Sequence, residues 1–187
     1  ILSPIFEDGT MLSFPIPSKE YEKDHIRYDE LICNGISLDK LLADLGYKGE
    51  PCCHLDPDLD IERRIKKISE WKPTFGQINQ SASYLINNGV SKGDLFLFFG
   101  NFMHVVEVDG KFKYARRTIT SSDTYYGRAV QVIWGYLQVG DIITDPELQK
   151  QFFWHPHSCR KRITEEKNNL IFNATDRLSF APDMTGC

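Results

Sequence analysis

The chain has 187 residues, enough for one domain spanning 1–187 to bury roughly 70% of the surface its unfolded form exposes, so a real hydrophobic core is available. Twenty-two basic against twenty-six acidic residues leave a formal charge of -4, which excludes a protein held to nucleic acid by overall charge; a phosphate-bearing partner needs a local basic patch or a base-sized pocket. No apolar run approaches the roughly 20 residues of a membrane span and no charged-then-apolar leader is visible, so a cytoplasmic chain without membrane contact is expected.

In chain order, residues 1–17 alternate turn chemistry with short apolar stretches and read as an extended segment laid against the body. Ser37, then Leu38, Leu41, Leu42 and Leu45, predict a short amphipathic helix that Gly46 stops. Another helix is expected to begin near Ile61, and a longer one from about Phe75 to Asn88. That longer helix has Ile78, Ala82, Leu85 and Ile86 on one face, Gln77, Gln80, Ser81 and Tyr84 on the other, and Gly89 as terminator. Leu95-Phe96-Leu97-Phe98-Phe99 reads as a central strand buried on both faces. His104 to Val108, the Asp109-Gly110 turn and Lys111 to Ala115 form a hairpin signature, and Ala129 to Tyr136 a further strand. Asp145 to Phe153 predicts a short helix and Leu170 to Ala174 a last strand. The fold class is α+β, a mixed, largely antiparallel sheet with a few flanking helices. Five cysteines, without zinc-ribbon spacing or a CxxC pair, read as reduced, mostly structural thiols.

The densest chemistry lies in Cys52-Cys53-His54-Leu55-Asp56-Pro57-Asp58-Leu59-Asp60. On an extended backbone the period of two sends His54, Asp56, Asp58 and Asp60 to one side, and such carboxylates repel unless a cation or a substrate relieves them. An ordinary helix cap explains one of these aspartates but not the set. His155-Pro156-His157 places two imidazoles on one side of an extended backbone. With Asp56 or Asp58 they offer the nitrogen and oxygen donors of a divalent metal site. Without a metal, His54, Asp56 and Asp58 form a general acid/base unit. Phe75-Gly76-Gln77, at the expected helix start, offers a ring to stack on a base and an amide for its edge; Trp134 and Tyr84 are further candidate substrate contacts. Lys111, Lys113, Arg116, Arg117 and Arg128, interleaved with Phe112, Tyr114, Tyr125 and Tyr126, suit nucleic-acid contact or a solvated hairpin.

Taken in order, Ser3-Pro4-Ile5, Asp8-Gly9-Thr10, Ser13 to Pro17, His54-Leu55-Asp56-Pro57-Asp58, Trp71, Phe75-Gly76-Gln77, Gly93 to Gly100, Trp134 to Gly140 and His155-Pro156-His157 resemble one family over most of the chain. It is the third of the nucleotide modification associated domains. The resemblance implies a prokaryotic α+β domain acting on nucleotides or nucleic-acid bases, DNA or RNA, by an unspecified reaction. It also implies a segment with Ser, Arg, Lys, Gly and Asp ahead of Ser3. The alternative is a non-catalytic reader, because Lys92-Gly93-Asp94 opening a strand, then a hairpin and an aromatic-bearing strand, is similar to the small β modules of the PUA, ASCH and EVE type that bind RNA or modified bases. A reader has no use for convergent His and Asp residues, which favours an enzyme.

Overall fold

The computed structural model describes residues 1–19, 26–117 and 124–187, and the fold is α+β. The N-terminal stretch is extended, as predicted. Within it β1 (Ser3–Ile5) places Ser3 parallel and opposite to Phe102, while Phe6 and Leu12 bury themselves nearby. Two short strands follow, β2 (Ile16–Ser18) and β3 (Ile26–Arg27). A small hairpin of β4 (Ile32–Cys33) and β5 (Ile36–Ser37) then leads into α1 (Leu38–Asp44). The predicted leucine stripe holds: Leu38, Leu41 and Leu42 are buried, and Gly46 at φ 86° ends the turn. β6 (Cys52–His54) runs between β2 and β3 in a three-stranded sheet, with Ile16 opposite His54.

The helix expected from Phe75 starts later. Thr74 and Gly76 are buried while Phe75 and Gln77 are half-buried, a period of two that makes this segment a strand, β7 (Thr74–Gln77). Only after Asn79 turns at φ 52° does α2 (Asn79–Asn87) run on to Gly89. Ala82 is buried in it, but Ile86 is half exposed, so its buried stripe is narrower than the apolar spacing suggested.

The apolar run after Asp94 is the start of β8 (Leu95–Val108), which is central but not covered on both faces. Phe96 and Phe98 turn inward against Phe75, whereas Leu97 and Phe99 remain 52% and 66% exposed. The predicted Asp109-Gly110 turn, both residues at positive φ, joins it to β9 (Lys111–Tyr114). Phe112 and Tyr114 pack toward the core, and the Tyr114 hydroxyl donates to the Leu2 carbonyl, so these two rings of the basic hairpin hold the fold rather than offering a stacking surface.

β10 (Val130–Ile143) extends well past the predicted end at Tyr136. It pairs antiparallel with β8 through a bulge: Ile133 opposes Phe99 and Gly135 opposes Phe98, leaving Trp134 as the extra residue. α3 (Pro146–Gln149) and a 3-10 turn at Lys150–Phe152 occupy the predicted Asp145–Phe153 helix, and α4 (Arg160–Glu165) follows. The strand predicted at Leu170 to Ala174 is β11 (Leu170–Ala174), but it is not the last; β12 (Arg177–Leu178) and β13 (Ala181–Thr185) make a closing hairpin. The main sheet runs β1-β8-β10-β11-β7 with β9 added to β8, and every pairing except β1 with β8 is antiparallel.

Two apolar clusters form. Leu12, Leu31, Leu41, Cys53 and Leu55 fill one around α1 and the small sheet; Ala82, Leu137, Leu170 and Phe172 fill the other beneath α2, with Phe75 packed on it. His54 and Asp56 flank Leu55, and Gly76 follows Phe75. These neighbours therefore sit on rigid, packed backbone, which is where a precise site is best supported.

Candidate metal centre

Asp56 is the hub. Its carboxylate, only 6% exposed, lies 3.5 Å from His54 Nε2, 3.4 Å from His155 Nε2 and 3.2 Å from His157 Nε2. The two oxygens have different tasks. Oδ1 accepts the Gly76 backbone N–H at 2.9 Å and faces His155, while Oδ2 faces both His54 and His157. One donor atom each from His54, Asp56 and His157 fall within 4.8 Å of one another, close enough to share one ion. Burial works to raise the Asp56 carboxyl, and the imidazoles, His155 foremost, outweigh it and hold the group well below the ordinary carboxylate range.

Hydrogen bonds fix which nitrogen of His157 faces the carboxylate as an acceptor. Gln149 donates through Nε2 to the Ile143 and Asn169 carbonyls, so its Oε1 accepts from Asn169 Nδ2. Asn169 Nδ2 also donates to the His157 carbonyl, leaving Asn169 Oδ1 as acceptor for His157 Nδ1 at 3.0 Å. With its proton on Nδ1, neutral His157 turns the Nε2 lone pair toward Asp56 Oδ2. Two acceptors 3.2 Å apart need a proton or a cation between them. An outer amide that sets the tautomer of a ligating histidine is the usual support of a metal site. Neither Gln149 nor Asn169 stands out in the sequence, where isolated amides carry no motif.

His155 acts on the other oxygen. It is fully buried, and its desolvation lowers its pKa against the opposing pull of Asp56. Its Nδ1 accepts the His157 backbone N–H at 3.2 Å, so the neutral ring carries its proton on Nε2, aimed at Asp56 Oδ1 without completing a hydrogen bond. Both rings reach Asp56 not from an extended strand, as the spacing suggested, but from a 3-10 turn at Pro156–Ser158. Gly76 makes this possible: a Cβ there would stand 2.5 Å from His157 Cγ and 2.8 Å from His155 Cε1.

The convergence expected of His54, Asp56, Asp58 and Asp60 stops at Asp56. Asp58, 1% exposed, accepts through Oδ2 from Arg64 Nε and Nη2 at 3.1 and 2.8 Å and from the Trp71 indole N–H at 2.9 Å. Its backbone pairs both ways with Thr74, which fastens the Asp56 loop to β7. Asp60 is the cap: its carboxylate accepts the Glu62 N–H at the head of a single 3-10 turn, Ile61–Arg63, where a helix was expected.

A cleft of about 310 Å³ opens beside Asp56, walled by Phe14, Leu97, Phe98, Phe99, Trp134 and Arg63. The family model described as Nucleotide modification associated domain 3 matches residues 1–185. The chain belongs to that family. No curated protein and no solved structure matches it. Within this Nucleotide modification associated domain 3 chain, the candidate substrate residues separate. Trp134 lines the cleft. Phe75 is locked among Phe96, Phe98 and Phe172, and so serves the core. Gln77 lies on β7 opposite Leu170, and Tyr84 stands 67% exposed on α2; neither is among the cleft-lining residues. Of the cysteines, all are free, and burial pushes the Cys53 thiol up to about 12, which keeps it an unreactive core group.

Proposed function

We propose that this protein is a metal-dependent enzyme of nucleotide or nucleic-acid base modification, with His54, Asp56 and His157 holding one divalent transition-metal ion at the head of the Trp134 cleft. The observation that carries it is the facing of Asp56 Oδ2 toward two imidazole nitrogens, beside a cleft with aromatic walls. Two imidazoles and one carboxylate, leaving coordination positions open, suit zinc or iron(II) better than magnesium or calcium. Such an ion supplies a Lewis acid or an activated water. The protein's own part is positional. Gly76 N–H holds Asp56 Oδ1, which His155 faces at 3.4 Å, the Gln149–Asn169 pair holds His157, and Trp134 offers a face against which a base stacks. His54, with 19% of its side chain exposed, is the imidazole of the three most open to solvent and to an incoming substrate.

Metal content and calorimetric titration with zinc and iron(II) test the ligand set, the expected result being one ion per chain, lost in Asp56→Asn and in His157→Ala. Nucleoside mass spectrometry of DNA and RNA from cells expressing the wild type or Asp56→Asn tests the reaction. A nucleoside that changes only with the intact carboxylate identifies the product. Identical profiles from a protein that still binds bases would instead favour the reader.

A further inference from the structure

Arg63 stands at the junction of two clefts. One contains Asp56; the other, about 350 Å³, lies along Leu59, Ile133 and Tyr136, and Arg63, Leu97 and Trp134 line both. The Arg63 side chain is 21% exposed, and its guanidinium carbon lies 5.8 Å from the centre of the Trp134 ring. A guanidinium has five N–H donors. Among the described residues they meet only the Ser13 carbonyl, 3.4 Å from Nη1, and Asp60 Oδ2, 3.8 Å from Nε; the Asp60 carboxylate is itself half exposed and already accepts the Glu62 N–H. The neighbouring Arg64 is better supplied: its Nε and Nη2 donate to Asp58 Oδ2 at 3.1 and 2.8 Å, and Nη2 also to the Trp154 carbonyl. A largely buried cation stacked on an indole, with a weak ion pair and donors to spare, is poised to take an anion in exchange for water.

We infer that Arg63 is the phosphate anchor of the cleft, taking the phosphate of a nucleotide or of a nucleic-acid strand while the base lies along Trp134 toward Asp56. This rests on the functional reading above and names its substrate class: a phosphorylated nucleoside rather than a free base or nucleoside. The planar fork matches two phosphate oxygens at once, and the shared wall of Arg63, Leu97 and Trp134 lets a strand continue from one cleft into the next.

Binding is to be measured on the whole chain, by calorimetry and Trp fluorescence, with 2′-deoxynucleosides, their 5′-monophosphates and a short single-stranded oligodeoxynucleotide, before and after treatment with a chelator. Wild type is expected to prefer monophosphate to nucleoside by about tenfold or more, the weight of a charged hydrogen bond. The preference should vanish in Arg63→Gln, return only in part in Arg63→Lys, which keeps the charge but not the fork, and persist after chelation. Tighter binding of the oligonucleotide than of the monophosphate, also lost in Arg63→Gln, makes the strand the source of the phosphate; equal or weaker binding makes it the free nucleotide. Equal affinity for nucleoside and monophosphate, no binding of either, or a preference that survives Arg63→Gln overturns the assignment. So does a preference abolished by chelation, because the phosphate would then sit on the metal. Metal titration of Arg63→Gln, expected to match wild type, separates a failure of this inference from a failure of the metal centre.

Discussion

Asp56 and Asp58 are two residues apart, flank the same proline and are both buried, yet they are held by opposite chemistry. Asp58 faces a permanent cation, Arg64, and an indole N–H, and its oxygen is fully occupied. Asp56 faces three imidazoles, groups whose charge depends on what they bind, and its Oδ2 is left between the Nε2 atoms of His54 and His157. A buried carboxylate with a fixed partner is architecture; one surrounded by titratable donors is a place where an ion or a proton can come and go. The same segment thus carries the site and the bolt that holds it.

The sharpest way to break this pairing is to remove each carboxylate in turn. Asp58→Ala leaves Arg64 buried without its anion and the Trp71 N–H without its acceptor, and should cost about 3–5 kcal/mol, a large share of the roughly 5–15 kcal/mol that holds a typical domain. Asp56→Asn keeps the shape and the Gly76 hydrogen bond but gives up the favourable charge beside the imidazoles, so against metal-free wild type it should lose less stability than Asp58→Ala while losing the metal. Urea unfolding of the two variants, read beside their metal content, checks both halves. Equal destabilisation would dissolve the distinction between bolt and site.

How far this contrast could be read from the sequence depends on how local its causes are. His54 and Asp56 were visible as a pair because adjacent alternate positions on one short segment do meet. Alternation places Asp58 in the same set, because nothing in such a pattern announces that Arg64 will fold back on it. Phe75 to Gln77 was read as helix because Ile78, Ala82 and Leu85 continue its phase, whereas pairing with β11 decides the matter. That competition is tertiary and beyond the reach of a single segment's periodicity. The leucines of α1 and the Asp109-Gly110 turn were legible for the converse reason, since each is fixed by its own spacing or its own backbone angles.

Gly76 tests the seam between the two regions. Gly76→Ala introduces a methyl against the rings of His157 and His155 on a strand that is already paired, so the rings must move. Overpacking of this kind costs about 1–3 kcal/mol. The loss should fall on the metal centre more heavily than on the fold: metal affinity drops steeply while the unfolding midpoint shifts modestly. A variant that binds metal normally would show that the close approach of glycine and imidazole is incidental.

Asn169→Ala sharpens the comparison from the outside, because it touches neither the ion nor the cleft. Freed from Asn169 Oδ1, His157 can place its proton on either nitrogen, and metal affinity should fall by about 10–100-fold, the usual consequence of losing an outer hydrogen bond to a ligating histidine. Asn169→Asp, which retains an acceptor at that position, should restore much of it. Titration of both variants with zinc checks this. Equal loss in both would mean that Asn169 supports the backbone at His157 rather than its ring.

The smallest expected effect is one of pH, measured on metal-free protein. His155 and Asp56 both have folded-state pKa values below their ordinary ones, through burial for His155 and through the imidazoles, against burial, for Asp56. In each case the unfolded chain takes up a proton that the folded chain refuses, so stability is present above the ordinary pKa and is lost as pH falls below it. For His155 the loss starts below 6.5 and for Asp56 below 3.8, giving two separate legs in a plot of unfolding midpoint against pH. His155→Gln should erase the upper leg and leave the lower one.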